Sequence, residues 1–295
     1  MEIRKASSLG LCFGVRRAVE MIELGVAKYG RIETLGPLVH NQQLMQKLMA
    51  VGVTPVDCLG KVQGNTVAIP THGVGPELLS QLRVRNINII NTTCPIVQQA
   101  QSAAKELAET GLEVLVFGDA QHSEVKGLLG WTKGRGIVVS DTTRIDSLSI
   151  VLKAEERRSR RLGVISQTTQ TWPVFNSFVK QLVAVFSSCD PDIEGSTFKE
   201  LRVVNTLCRA TQEHRRAAKE LAQKSQLIIV VGGYDSANTR HLVEICSPII
   251  ETHHIERADE IEKVWTTGKQ YIGITAGAST PDETIEDVID RLKAF

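Results

Sequence analysis

Three cysteines stand at equivalent places in the sequence, each directly before a segment of helical periodicity: Cys12, Cys94 and Cys208. The segments after Cys94 and Cys208 share the hexapeptide Ala-Ala-Lys-Glu-Leu-Ala, nine residues after the cysteine, and the N-terminal copy is weaker. Polar residues follow each cysteine at 28 and 30 positions: His40 and Gln42, His122 and Glu124, Ser236 and Asn238. Such an internal repeat indicates one structural unit used several times. We expect the copies to gather the three thiols at one centre, with the polar side chains around them.

Three thiols at helix starts are suited to metal binding, because a helix N-terminus favours the thiolate that binds metals. The sequence has no Cys-x-x-Cys pair, so a four-ligand structural zinc site fits poorly. An iron–sulfur cubane with three protein ligands and one open iron fits better, and a catalytic zinc on three cysteines is the main alternative. The other cysteines have no counterpart in the repeat and are expected to be small core residues: Cys58, Cys189 and Cys246.

Histidines follow three strand-like segments, at His40, His72 and His122. One such histidine is usually structural, whereas three at equivalent places favour a ligand site. Hydroxyls and one amide occur at similar junctions: Thr168, Ser236, Asn238 and Ser279. Helix N-termini with these groups, and few arginines, suit a phosphate or diphosphate.

Glu124 is the acid within this otherwise anion-binding set. A solvated surface carboxylate is the default interpretation of such a residue. Its place two residues after His122 instead favours a proton donor, since burial near an anion raises a carboxyl pKa. Thr168 is a candidate to relay that proton.

Strand-like and helical segments alternate along the chain, which is typical of α/β units with parallel strands. The periodicity predicts helices over residues 42–50, from Pro76 and from about residue 282. The polar clusters fall where strands give way to helices, which is where ligands bind in such sheets.

We expect three α/β domains, over residues 1–95, 96–204 and 205–281, with the segment 282–295 packing back on the first. The charge run over residues 153–161 is expected to be a solvated helix end, and residues 187–200 a link between domains.

Composition excludes several classes of function. A net charge of +1 and an aromatic content of 4% argue against a nucleic-acid partner. No apolar run approaches the roughly 18 residues of a membrane span, and the N-terminal residues lack the apolar core of a signal peptide. We therefore expect a cytoplasmic protein with reduced thiols and no membrane partner.

Eight motifs follow one another in an order found in a known family: Gly10–Ala18, Val39–Asn41, Thr71–Val74, Thr92–Pro95, His122–Val125, Gln167–Thr169, Thr275–Ser279 and Pro281–Asp282. On these motifs the chain resembles, from end to end, the LytB/IspH family of hydroxymethylbutenyl diphosphate reductases. The resemblance implies three α/β domains in a trefoil around a 4Fe-4S cluster, with Cys12, Cys94 and Cys208 as ligands and one iron open. It implies a substrate shell of His40, His72, His122, Thr168, Ser236, Asn238 and Ser279.

The implied reaction is a two-electron reductive dehydroxylation of hydroxymethylbutenyl diphosphate to isopentenyl and dimethylallyl diphosphate, the last step of the non-mevalonate isoprenoid pathway. In that reaction Glu124, with Thr168 and His122, would supply the proton, and reduced ferredoxin or flavodoxin would supply the electrons. Two positions depart from the family pattern. Ser123 stands where proline is frequent, and Ala237 stands where a second serine is common, so a hydroxyl contact to the diphosphate is expected to be lost there unless the backbone N–H replaces it.

Two other classes of function stay open beside this resemblance. A zinc-dependent hydrolase or lyase acting on a phosphorylated metabolite would use the same cysteines, and metal analysis separates it from an iron–sulfur enzyme. A non-catalytic diphosphate sensor would keep its ligand after Cys94→Ser, whereas the reductase would lose its cluster.

Overall fold

The computed structural model describes residues 1–140, 161–187 and 200–295. Over these residues the chain forms three four-stranded sheets in which neighbouring strands pair in parallel. This architecture confirms the α/β class that the alternation of strands and helices predicts. The predicted charge run and interdomain link, and with them Cys189, lie almost wholly outside the described residues.

The strands are β1 (Glu2–Lys5), β2 (Ile32–Leu35), β3 (Val53–Val56), β4 (Thr66–Ile69), β5 (Asn88–Asn91), β6 (Glu113–Phe117), β7 (Gly136–Val139), β8 (Arg161–Ser166), β9 (Glu200–Val203), β10 (Leu227–Val231), β11 (Thr252–Ile255) and β12 (Tyr271–Ala276). The helices are α1 (Phe13–Tyr29), α2 (Gln42–Ala50), α3 (Pro76–Val84), α4 (Pro95–Glu109), α5 (Ser123–Trp131), α6 (Trp172–Ser187), α7 (Arg209–Ala222), α8 (Ala237–Cys246), α9 (Lys263–Thr266) and α10 (Asp282–Lys293). The predicted helix over residues 42–50 is confirmed at both ends, and the helices predicted from Pro76 and from residue 282 begin at those residues.

The repeat in the sequence is also a repeat of structure. Strands β6 and β10 lie 114 residues apart at both ends, and the helices that follow them, α5 and α8, begin 114 residues apart as well. Both strands are buried along their whole length, which is the pattern of a parallel strand covered on both faces. The predicted relation between the second and third copies is therefore confirmed.

One compact unit consists of Met1–Thr71, Asn88–Thr92 and Cys208–Phe295. It holds two sheets, with strand orders β1-β12-β10-β11 and β3-β2-β4-β5. The first strand of the chain thus pairs with β12 near the C-terminus, with Glu2 opposite Tyr271. Local patterns do not encode this pairing, because parallel partners meet only through long crossover connections. The three domain bounds stay a prediction.

The C-terminal helix α10 packs within this same unit. Its apolar residues join the core of the β1-β12-β10-β11 sheet: Ile285, Val288, Ile289 and Leu292. Its first turn also bonds to helices α1 and α2. Arg16 Nη2 lies 3.0 Å from Asp282 Oδ2, and Thr284 Oγ1 donates to Gln43 Oε1 at 2.5 Å. These bonds tie the C-terminal helix to the N-terminal segment that carries Cys12.

The other compact unit consists of His72–Ile87 and Thr93–Leu207, and its sheet has the order β7-β6-β8-β9. Alternate residues of β6 point to opposite faces, as in any strand. Val114 and Val116 pack with helices α4 and α5, whereas Leu115 and Phe117 pack with α6. The Phe117 and Phe178 rings stack with their centroids 4.6 Å apart. Helix α5, which follows β6, carries Glu124, and the loop after β8 carries Thr168.

Candidate active site

Each repeat cysteine is the N-cap residue of a helix: Cys12 of α1, Cys94 of α4 and Cys208 of α7. Over the described residues, none of the three sulfurs accepts the capping hydrogen bond of its own helix. The thiols are thus presented at helix N-termini, where the partial positive charge favours a thiolate. None of the five described cysteines is in a disulfide, and a free thiol is what metal ligation needs. Cys246 is buried as predicted, whereas Cys58 is exposed, so the prediction that Cys58 is a core residue is wrong.

Two of these thiols are neighbours within one unit. Cys12 and Cys208 lie close enough for their charges to interact. Burial is the main cause that raises the pKa of the Cys12 thiol; the nearby backbone N–H of Val15 acts in the opposite direction, and the nearby Cys208 raises that pKa. Two sheltered thiols side by side resist ionisation unless a cation accompanies them, and a bound metal deprotonates such thiols outright. This pair therefore has the chemistry of part of a metal-ligand set.

A glycine turn directs the chain into Cys12. Gly10 has a φ of 76°, and a Cβ there would lie 2.9 Å from Ile285 Cδ1, so both the backbone and the space require glycine. Cys12 N donates to Ala278 O at 3.0 Å. This bond places Cys12 beside the loop after β12, in which Ser279 lies.

In the other unit, a second glycine turn fixes the conformation of the loop that carries His72. Gly73 has a φ of 71°, and a Cβ there would lie 2.3 Å from Gln101 Nε2 and 2.9 Å from Thr93 Cγ2. The His72 loop can therefore rest against the start of α4 only because residue 73 is glycine. Cys94 caps that same helix. His72 and Cys94 consequently lie on segments in direct contact.

Glu124 and Thr168 form a buried pair. Glu124 is only 3% exposed and Thr168 only 4%. Thr168 N donates to Glu124 Oε1 at 2.6 Å, and Thr168 Oγ1 donates to Oε2 at 2.9 Å. Burial raises the pKa of Glu124 to about 7, although the two hydrogen bonds from Thr168 act in the opposite direction. A carboxyl group with that pKa exchanges a proton readily near neutral pH.

His122 orients the start of helix α5, which carries Glu124. It is the N-cap residue, and its Nδ1 accepts a hydrogen bond from Glu124 N at 3.1 Å. Because Nδ1 accepts, the neutral ring carries its proton on Nε2, which becomes a donor. The turn of Thr168 is held separately, since Gln167 N donates to Phe117 O at 2.8 Å and Gln167 Oε1 accepts from Asp119 N at 3.1 Å.

The predicted amide and serines lie in the unit of Cys12 and Cys208. Ser236 caps α8, and its Oγ accepts from Thr239 N at 3.3 Å. Asn238 is buried, and neither its amide nitrogen nor its oxygen has a partner among the described residues. Ser279 Oγ donates to His40 O at 3.5 Å. Burying a carboxamide whose two polar atoms lack hydrogen-bond partners lowers the free energy of unfolding, unless a ligand or water forms the missing bonds.

The equivalence of positions 28 and 30 after each cysteine holds in only two of the three copies. In those two, the earlier residue caps a helix and the later one is buried: His122 and Glu124, Ser236 and Asn238. In the N-terminal copy Asn41, one residue after His40, is the N-cap, and its Oδ1 accepts from Leu44 N at 2.9 Å. Gln42 is exposed, so the predicted equivalence of that residue is wrong. An asparagine directly before a helical pattern is an N-cap signal that could have identified Asn41.

Within each unit, the structure brings some of the predicted site residues close together. Glu124 bonds to Thr168 beside His122, and Cys12 lies near Cys208. In the part of the chain that is described, no three or more His, Cys, Asp or Glu side chains form a ready metal site. The assignment of all these residues to one site stays a prediction.

The chain has parallel α/β sheets, thiols at three helix N-termini and a buried, protonatable carboxyl group. These features define a class of α/β protein equipped for metal and acid–base chemistry. A family model described as LytB protein matches residues 3–293. The chain belongs to the LytB family.

Several relatives carry the name 4-hydroxy-3-methylbut-2-enyl diphosphate reductase. One from Dehalococcoides mccartyi (strain CBDB1) is 42% identical, and the alignment covers 100% of this chain and 99% of the relative. One from Geobacter sulfurreducens is 37% identical over 100% of this chain and 98% of its own length. A solved structure of (E)-4-hydroxy-3-methyl-but-2-enyl diphosphate reductase, the terminal enzyme of the non-mevalonate pathway, matches with a TM-score of 0.72, 34% identity and full coverage of both chains.

The fold is also shared with a solved structure from Plasmodium falciparum, an E-1-hydroxy-2-methyl-but-2-enyl-4-diphosphate reductase. It matches with a TM-score of 0.86 and 21% identity, over 99% of this chain and 87% of that one. This likeness confirms the predicted fold class. Among the described residues, no helix combines the length and the apolar character that crossing a bilayer requires.

Proposed function

We propose that this chain is an iron–sulfur reductase that converts (E)-4-hydroxy-3-methylbut-2-enyl diphosphate to isopentenyl and dimethylallyl diphosphate. One C–O bond breaks and one C–H bond forms, two electrons and two protons are consumed, and the hydroxyl oxygen leaves as water. The family membership and the full-length relatives of the same name support this assignment. The buried Glu124–Thr168 pair is the single structural observation that carries it.

The donor set fits an iron–sulfur cluster. Cys12, Cys94 and Cys208 would hold it, since each thiol stands at a helix N-terminus and is not used to cap that helix within the described residues. Three thiolates leave one iron of a 4Fe-4S cluster open, which is the form we propose. Such a cluster, when bound, supplies electrons one at a time and a Lewis-acidic iron.

Glu124 holds the proton that the leaving oxygen needs. At neutral pH a carboxyl group with a pKa of about 7 is protonated in about half of the molecules. It can therefore donate one proton and take up another between turnovers. The Thr168 N–H and hydroxyl hold both carboxyl oxygens in place. When Oε2 carries the proton, the bond to the hydroxyl reverses and Glu124 donates to Thr168 Oγ1. We propose that Thr168 relays the proton in this way.

The polar residues of both units supply donors for the diphosphate. His122 presents Nε2–H, and Asn238 offers an unsatisfied amide. The Ser279 hydroxyl would turn to the diphosphate from its long 3.5 Å bond to His40 O. The remaining members of the proposed substrate shell are His40, His72, Thr168 and Ser236. At Ala237, the first residue of α8, the backbone N–H is one of the donors that a helix leaves without an intrahelical acceptor. We propose that it replaces the missing hydroxyl.

The electrons are proposed to come from reduced ferredoxin or flavodoxin, and the proposed location of the reaction is the cytoplasm. Both statements rest on the family and on the requirement for reduced thiols. A small one-electron carrier suits a reaction that takes up its two electrons in separate steps.

An anaerobic assay with the hydroxylated diphosphate and a reduced dye, read beside iron and sulfide content, tests the proposal. Glu124→Gln should keep the iron and the affinity for substrate but lower turnover by about 100-fold or more, because it removes the proton donor. Glu113→Gln is the matched control: Glu113 is also buried, belongs to the same unit and lies 3.7 Å from Arg135. We expect its turnover to stay near that of the wild type.

Stoichiometric zinc in place of iron, without turnover, would overturn the proposal in favour of a zinc hydrolase or lyase. Full turnover of Glu124→Gln would remove Glu124 as the proton donor while leaving the reductase assignment in place.

A further inference from the structure

A buried arginine lies on the helix that Cys208 begins. Arg215 is only 5% exposed, although arginine is among the residues least often buried. It stands seven residues after Cys208 on α7, and a separation of seven returns to the same helix face about two turns on. Long side chains on a helix lean towards its N-terminus. The Arg215 guanidinium is therefore directed towards Cys208, and the two groups lie close enough to interact electrostatically.

Several other titratable groups surround Arg215. Glu244 and His241, on the neighbouring helix α8, both interact with its charge, and His241 Nδ1 lies 2.8 Å from Glu244 Oε2. Arg240 acts on His241, and Glu213 acts on the buried His214 beside Arg215. Burial lowers the pKa of Arg215 to about 10, which still leaves it charged at neutral pH. A permanent positive charge is thus enclosed near Cys208, about two turns into helix α7.

We propose that Arg215 is a positioning residue that raises the reduction potential of the cluster bound through Cys208. The inference rests on the proposed function, because it requires the cluster. An added electron makes the cluster more negative, and a nearby positive charge stabilises that state. Burial strengthens the effect, since a sheltered charge is screened less by water and salt than an exposed one.

A redox titration of the anaerobically purified, iron-loaded protein tests this role, with Arg215→Gln compared with Arg216→Gln. Arg216 is the next residue, but its side chain is 77% exposed and lies 3.7 Å from Glu220, so its substitution removes the same charge from the solvated face. At a fixed dye potential we expect Arg215→Gln to lower the ratio of reduced to oxidised cluster about tenfold, a shift of about 59 mV for a one-electron couple. Arg216→Gln should leave the ratio unchanged.

Two further variants keep the test decisive if Arg215→Gln folds poorly. Arg215→Lys retains the charge and should restore most of the wild-type potential. Glu244→Gln removes an exposed neighbouring negative charge and should move the potential upwards. Equal shifts from Arg215→Gln and Arg216→Gln, or an unchanged potential in all variants with full iron content, would overturn the role of Arg215. A wild-type protein without iron would instead overturn the proposed function.

Discussion

At the scale of single residues, Glu124 shows how the environment changes the chemistry of an ordinary carboxyl group. The group is fully enclosed, and burial penalises its charged form more than two hydrogen bonds from Thr168 can offset. The result is an acid that keeps its proton to about neutral pH. The same enclosure that suits Glu124 to proton donation also makes the folded chain sensitive to pH.

Stability should therefore fall as the pH rises through the range in which Glu124 ionises. The folded pKa is about 7 and the unfolded pKa about 4.5, so between these values the folded state binds the extra proton. Stability from this group is greatest below about pH 4.5 and declines up to about pH 7, by about 3 kcal/mol in total. Denaturant unfolding at pH 5 and pH 8 measures it. Glu124→Gln should lose this part of the pH dependence, and an unchanged dependence in that variant would contradict the raised pKa.

At the scale of elements, the site depends on where strands end and helices begin. Helices α1, α4 and α7 each start directly after a cysteine, and α5 and α8 start directly after His122 and Ser236. Short loops between these elements carry the remaining polar residues. Two of the loops hold their shape through glycines that no other residue can replace without movement.

Gly73→Ala should displace the His72 loop. The new Cβ would overlap Gln101 Nε2 in addition to the strain of a positive φ, so we expect a loss of unfolding free energy of about 2 kcal/mol or more. Gly134→Ala is the control: its φ is 79°, but no atom of the described residues lies within 4 Å of a Cβ there. It should lose only about 1 kcal/mol, from the backbone alone. Equal losses in denaturant unfolding would show that the contact with Gln101 does not shape the loop.

At the scale of the whole molecule, two compact units each enclose fully buried parallel strands. Leu115 on β6 and Ile229 on β10 occupy equivalent places in the repeat, and both side chains are fully buried. Each belongs to the core of a different unit. The repeated architecture therefore predicts similar energetic roles for two residues that are far apart in sequence.

Leu115→Ala and Ile229→Ala should each lower the free energy of unfolding by about 2–5 kcal/mol, because each leaves a cavity in a packed core. Hydrogen exchange should localise the loss of protection to the sheet that carries the substitution. Leu24→Ala, at a position 72% exposed, should change stability by less than about 0.5 kcal/mol. Loss of protection spread evenly over both units would contradict the separate cores.

The repeat, the candidate chemical groups and several helix starts could be predicted from the amino-acid sequence. Helical and strand periodicity, together with a proline or polar residue at a helix start, are local signals, and they located α2, α3 and α10 at their first residues. The same local signals identified the three cysteines as helix-starting residues. They failed at His40, where the neighbouring Asn41 provides the cap.

Properties that depend on distant partners could not be predicted, because they arise when the chain folds. The pairing of β1 with β12 and the bond of Glu124 to a threonine 44 residues away join segments with no local relation. Arg215 lies only seven residues after Cys208 on one helix, but its burial depends on what packs around that helix. Burial and Coulomb interactions depend on everything packed around a group, so the pKa of Glu124 and the charge behind Cys208 follow from the folded chain alone.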